Sequence, residues 1–272
     1  MGFFYALNSS LQYSNFVPHI QPLGIITLLS DMGTRDAGAT VAKAVFMRHA
    51  PGVHIVDISH QVAEYDLQEA AYMLLAAYHH FPKGTVHVLM ADVYRDGNAR
   101  MLLAMFDGYY FIAPDNGLLA LAFGTALTDV RLCATFAPPF VFSDWTESAG
   151  LAVAAVLGNN ISYPATTMHE VPLLSQPKIT PDGVECRIRY IDRYGNVVLD
   201  ITRKQFDRIV KGRPFSIEIM KAQNVTTISS NYNDVAADQA LCRFNDAGFL
   251  LIALNHGCVA KLLGLDTEHI SN

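Results

Sequence analysis

Three aspartates share one setting. Asp31, Asp57 and Asp92 each stand at or just past the end of a short apolar run, respectively Leu23 to Leu29, Val53 to Ile58 and Thr85 to Ala91. An ionised carboxylate only accepts hydrogen bonds, so it can take both O–H donors of a ribose diol or hold one water in a fixed direction. A single aspartate at such a point would say little, since N-caps and turns use the same residue. Three in the same topological place point to a ligand site, because open α/β sheets bind ligands outside the carboxyl ends of their strands.

Other chemistries lack their residues. No G-x-G-x-x-G follows the first apolar run, and no G-x-x-x-x-G-K-[ST] or G-x-S-x-G occurs, which removes the dinucleotide fingerprint, the P-loop and the nucleophile elbow. H-E-x-x-H is absent. His79 and His80 are adjacent on a helical stretch and so point to different faces, a poor spacing for a metal. A phosphatase-like Asp31 would want a second aspartate two residues on, where Gly33 stands. The four cysteines, Cys133, Cys186, Cys242 and Cys258, form no C-x-x-C pair, so they read as reduced thiols of a cytoplasmic protein.

The elements that must position these acids follow from periodicity. Between the apolar runs lie helical patterns: Ala37 to His49, with Val41, Val45 and Phe46 on one face, and Asp66 to His80, with Leu67, Ala70, Ala71, Leu74 and Leu75 on a stripe. Leu102 to Phe106 and Tyr109 to Ala113 flank Asp107-Gly108, a hairpin dipeptide. Alternating strand and helix predicts an α/β domain with a central, mostly parallel sheet. Ala149 to Leu157 reads as a small-residue helix. Past it, Pro164, Pro172, Pro177 and Pro181 mark a linker. Strand-like runs then dominate, at 186–192, 197–201, 215–220, 240–244 and 249–253. The chain is expected to divide into an arm (1–22), an α/β domain (23–163), a linker (164–182) and a smaller, mainly β, barrel-like domain (183–272).

Bulk properties agree with a globular enzyme-sized chain. It has 272 residues, 51% of them apolar and 16% charged, with net charge −6. That is enough for two cored domains, and the acidic balance argues against nucleic acid or an anionic membrane as partner. No apolar run is long enough for a transmembrane helix. The first residues hold no Lys or Arg ahead of their aromatics, which makes a poor secretory signal.

Six segments in order carry a resemblance: Ser-Asp-Met-Gly-Thr-Arg-Asp (30–36), Val-Asp-Ile-Ser-His (56–60), Tyr-Asp-Leu-Gln-Glu-Ala-Ala (65–71), Phe-Pro-Lys-Gly-Thr-Val-His-Val (81–88), Ala-Pro-Asp-Asn-Gly-Leu-Leu (113–119) and Ile-Asp-Arg-Tyr-Gly-Asn-Val (191–197). Together they resemble the S-adenosyl-L-methionine (SAM) hydroxide adenosyltransferase family, relatives of fluorinase and chlorinase, over both domains. The resemblance implies attack of water or hydroxide on the ribose C5′ of SAM, giving adenosine and L-methionine, with SAM as substrate and no cofactor or metal. It implies a homotrimer with sites between the first domain of one subunit and the second domain of its neighbour.

The resemblance also implies roles. Asp31 grips the ribose hydroxyls, and Tyr65 is an aromatic beside the reacting centre. Asp192, Tyr194 and Asn196 form the second domain's motif, the aspartate on the methionine ammonium and the asparagine on the adenine edge. Tyr232 stacks on adenine, and the backbone around His256 meets its edge. Asp92 and Arg100 orient the nucleophile, with Arg95 a rival for the arginine. This chain departs from the family at the third nucleophile group: Trp145 stands where the hydrolases keep a histidine. Thr146, or the Trp145 indole N–H, is then expected to replace it. The alternative is a catalytically impaired protein that binds SAM or adenosine on the same scaffold.

Overall fold

The structure is a computed structural model that describes residues 24–95, 99–169, 177–181, 183–220 and 223–265. The expected arm at 1–22 lies outside the described residues.

The first unit is built on a mixed six-stranded sheet. Its strands are β1 (Ile25–Ser30), β2 (His54–Ser59), β3 (Val86–Met90), β4 (Ala99–Phe106), β5 (Tyr109–Pro114) and β6 (Asp129–Phe136), in the order β2-β1-β3-β5-β4-β6. The pairs β1–β2, β1–β3 and β3–β5 are parallel, while β4 runs antiparallel to both β5 and β6. Helices α1 (Gly38–His49) and α4 (Phe142–Leu157) pack together on one face, and α2 (Leu67–Ala77) and α3 (Leu118–Phe123) on the other. Every residue of β3 is buried, as a central parallel strand covered on both faces must be.

Local signals explain the elements. Asp66 caps α2 by accepting the backbone N–H groups of Gln68 and Glu69. Asp107-Gly108, both at positive φ, turn β4 into β5 as the dipeptide predicts. Two elements exceed the sequence reading. The helix expected from Ala149 begins at Phe142, where Asp144 accepts the Val141 N–H. Strand β6 was not anticipated at all: DVRLCATF lacks a clean alternation, and its pairing with β4 decides the matter.

The second unit is mainly β. An antiparallel sheet joins β13 (Ala240–Phe244), β14 (Phe249–Leu254), β10 (Val197–Thr202) and β9 (Ile188–Ile191) in that order. Two hairpins accompany it, β7 (Lys178–Thr180) with β8 (Gly183–Glu185) and β11 (Ile217–Met220) with β12 (Gln223–Val225), together with helices α5 (Arg203–Val210) and α6 (Val259–Leu262). Among the described residues these pairings close no barrel; the sheet is open, with β13 and β9 at its edges. One face builds a core with α5, α6 and the hairpins. The other packs Val198, Leu241, Phe249, Leu251 and Ala253 around Tyr72 of α2.

That contact joins the two units. The Tyr72 ring lies 4.8 Å from Tyr190 and 6.0 Å from Phe249, and its hydroxyl accepts a 3.0 Å bond from Asn245 Nδ2. The segment entering the expected linker also packs back on the first unit. Leu132 N–H donates to Pro164 O, and Thr166 N–H to Val130 O. The four cysteines are unpaired, and burial pushes the Cys133 and Cys242 thiols up to about 12. Among the described residues no helix is long and apolar enough to cross a membrane.

Candidate active site

The sheet order creates the cleft. From β1 the chain crosses to β2 on one side, and from β2 it returns to β3 on the other. The gap between the carboxyl ends of β1 and β3 is therefore the topological switch point, where doubly wound sheets take their ligands. Asp31 follows β1 directly and Asp92 follows β3 by two residues, so the two acids flank this gap.

They are also bonded. Asp31 Oδ2 accepts the backbone N–H of Asp92 at 2.9 Å and that of Tyr65 at 3.5 Å. Asp92 and Tyr65 both sit at positive φ, 49° and 64°, a conformation uncommon outside glycine and concentrated at functional sites. Asn116 fixes the Asp92 turn from below: its Nδ2 donates to Ala91 O and Asp92 O, and its Oδ1 accepts the Leu118 N–H. Asp57, the third strand-end acid, faces elsewhere. Burial raises its pKa but Lys43 and His60 outweigh that, leaving its carboxyl below the usual range.

The arginine on Asp92 is Arg95. Its Nε donates to Asp92 Oδ2 at 2.5 Å, against a carboxylate that is itself buried. The Arg100 guanidinium instead turns to Asp115 Oδ2 at 3.4 Å, Thr166 Oγ1 at 2.7 Å and the Thr167 carbonyl at 2.8 Å. A three-residue offset lets one tight turn fold Arg95 back on Asp92, which the sequence reading held open as the second choice.

The two α4 residues expected at the nucleophile are spoken for within the fold. Trp145 is fully buried in the core between the sheet and the helices, and its indole Nε1 finds no protein acceptor. Thr146 is fully buried too, and its hydroxyl donates back to the Phe142 and Ser143 carbonyls, 3.1 Å each. Such back-bonding is the usual outlet for a helical threonine.

The second unit holds its own group. Asp192 Oδ1 accepts the backbone N–H of Tyr194 and of Asn196, and Oδ2 accepts Asn196 Nδ2 at 2.8 Å. Gly195, at φ +76°, makes the turn and leaves no room for a side chain: a Cβ would lie 2.1 Å from Cys258 Sγ. Tyr232 opens a single helical turn, with the Arg243 guanidinium 5.2 Å from its ring. His256, at φ 60°, turns the chain after β14.

Among the described residues no hydrogen bond or ion pair links Asp31, Tyr65 or Asp92 to Asp192, Asn196, Tyr232 or His256. Three aromatic rings of the two groups face solvent, Tyr194 at 78%, Tyr65 at 68% and Tyr232 at 36% exposure. Asp31 instead borders a cleft of about 1020 Å³ whose far wall holds Arg189, Tyr190, Ile191 and Arg193. Burial lowers the pKa of Arg189, and nearby Asp200 opposes it.

Sequence comparison agrees with this architecture. Residues 26–137 match the SAM hydroxide adenosyltransferase N-terminal domain and residues 186–270 its C-terminal domain. The chain is 27% identical over 259 residues to a protein of Thermus thermophilus named (R)-S-adenosyl-L-methionine hydrolase, covering 88% of this chain and 95% of that one. A protein of the same name from Methanocaldococcus jannaschii is 27% identical over 261 residues, covering 90% and 93%. An uncharacterized conserved protein of Thermotoga maritima shares the fold, with a TM-score of 0.69 at 24% identity over 89% of this chain and 96% of that one. With both of its domains matched on either side of a switch-point cleft, the chain belongs to the SAM hydroxide adenosyltransferase family.

Proposed function

We propose that this protein hydrolyses SAM to adenosine and L-methionine, acting on the (R) epimer at sulfur for which its relatives are named. The observation that carries the reading is the pairing of Asp31 and Asp92 across the switch point, with the Asp92 amide bound to the Asp31 carboxylate. Asp31 grips the ribose diol. Asp92, held by Arg95, directs a water at C5′. The water oxygen bonds to C5′ as the C5′–S bond breaks, its electron pair passing to sulfur. The water proton leaves through Asp92 to solvent, and methionine departs as a neutral thioether. The sulfonium already activates the carbon, so positioning and partial desolvation of the water suffice. Four carboxylates around the cleft, Asp31, Glu64, Asp66 and Glu69, outnumber its two arginines, Arg189 and Arg193, a balance that suits a cationic substrate.

A complete site needs a second copy. Asp192 would take the methionine ammonium, Asn196 the adenine edge and Tyr232 its face, with the backbone at His256 beside them. These groups make no bond to Asp31 in one chain, and the reading takes them from a neighbouring copy in a homotrimer, as the family resemblance implies.

The test is incubation of purified protein with each SAM epimer in H₂¹⁸O. Adenosine carrying ¹⁸O at its 5′ hydroxyl is expected, and Asp92→Ala abolishes it. Failure of both epimers to yield adenosine refutes the reading. A second reading, binding without turnover, draws on the commitment of Thr146 to helix carbonyls and of Trp145 to the core. Micromolar adenosine binding with no product would favour it.

A further inference from the structure

Beneath Asp31 lies a buried polar chain that neither the family resemblance nor the reaction accounts for. Ser30, fully buried at the end of β1, places its Oγ 2.7 Å from His60 Nδ1. The same Oγ accepts the Met32 N–H at 3.4 Å. His60 is 5% exposed. Its carbonyl oxygen accepts the Gly33 N–H at 2.7 Å, and its Nε2 lies 3.1 Å from Asp57 Oδ1, an ion-pair distance without hydrogen-bond alignment. Asp57 is itself tied to Lys43 of α1 at 2.5 Å.

One residue therefore holds both ends of the turn that carries Asp31. The His60 ring fixes Ser30, just before it, and the His60 backbone fixes Gly33, two residues after. With Ser30 accepting from Met32, its hydroxyl still holds one proton to give and one lone pair to offer, so it can bond Nδ1 in either tautomer. The ring bond to Ser30 and the backbone bond to Gly33 fall on the same short turn, so together they restrict its geometry.

We infer that His60 is a positioning residue for ribose recognition, acting through Ser30 to hold the Asp31 carboxylate at the diol. The inference rests on the proposed role of Asp31, and the experiment separates the two. Calorimetry would measure adenosine and 2′,3′-dideoxyadenosine binding to the intact protein and to His60→Ala, His60→Asn and His60→Gln. Asparagine can place a polar atom near the Nδ1 position, whereas glutamine reaches nearer Nε2.

The expected result is a fall of about tenfold in adenosine affinity for His60→Ala, the scale of one lost hydrogen bond in a buried network. Dideoxyadenosine affinity stays unchanged, and His60→Asn recovers most of the loss while His60→Gln does not. Equal weakening of both nucleosides, or rescue by glutamine in place of asparagine, overturns the inference; so does an unchanged His60→Ala. If His60→Ala fails to fold, the Asn and Gln variants decide alone. If the unmodified protein does not favour adenosine over the dideoxy compound, the Asp31 role fails first and the inference falls with it.

Discussion

Replacing Gly195 with alanine strikes the turn that presents Asp192 and Asn196. Two costs can be separated. At φ +76° an alanine is strained, about 1 kcal/mol in a left-handed position. The new Cβ would also lie 2.1 Å from Cys258 Sγ, with the Cys258 Cβ at 3.3 Å and Cα at 3.6 Å. Such overpacking costs roughly 1–3 kcal/mol. Gly195→Ala should thus lose about 2–4 kcal/mol of stability. Cys258→Ala removes the sulfur, leaves the 3.3 Å contact as the nearest, and alone costs about 1 kcal/mol. The double variant keeps the φ strain but sheds most of the clash, so the coupling energy should favour the double variant by about 1–3 kcal/mol. The Gly195 carbonyl also accepts the Ala260 N–H of α6 at 2.9 Å, so the disturbance spreads to that helix. Urea unfolding of the three variants gives the cycle, and adenosine calorimetry tests whether the turn's geometry returns with it. Coupling below about 0.5 kcal/mol would refute the argument, because distant or independent sites add to within that margin.

Three further outcomes follow from contacts already described. Arg95→Ala should cut adenosine formation about 100-fold by loosening Asp92, whereas Arg100→Ala should chiefly lower the melting temperature, through Asp115, Thr166 and Thr167; steady-state rates and thermal scans separate them. His87 is buried against Phe111 and bonded to Thr27 Oγ1 at 2.6 Å, and burial pushes its pKa from 6.5 to about 3. The unfolded chain therefore takes up the proton first, so its contribution is present above pH 6.5 and falls by about 2 kcal/mol at pH 5; Thr27→Val/His87→Leu should flatten the urea midpoint over that range. Burial raises the Tyr72 hydroxyl to about 12, so stability is lost as pH rises past 10. Tyr72→Phe removes that loss and costs about 1 kcal/mol at neutral pH, through the Asn245 bond.

The acids at strand ends were legible because their position depends on period and order, which the chain displays openly: apolar runs, helical stripes and Asp-Gly turns. Asp31 and Asp92 needed only the rule that ligands gather at carboxyl ends. Arg95 was harder, since a three-residue offset in a turn competes with an arginine on a strand, and only φ 49° at Asp92 decides which one returns. The burial of Trp145 and Thr146 was hidden for a related reason. Their spacing places both on α4, but which face meets the sheet depends on where the helix begins, and the Asp144 cap set that start seven residues early. Asn116 and His60 sat within quoted motifs, yet their partners lie 24 to 30 positions away in the chain, beyond any local pattern.

The bond from the Asp92 amide to the Asp31 carboxylate bears on how this site can diverge. A carboxamide at position 31 would match the carboxylate in size and still accept that amide through its single oxygen. Its remaining edge would then offer N–H donors where two free lone pairs had stood. Drift at position 31 is thus limited by lone-pair number more than by volume. Position 92 enters the bond only through its backbone, so its side chain can change without releasing Asp31. The side chain at position 92 can therefore alter its chemistry while the bond that holds the carboxylate at position 31 persists.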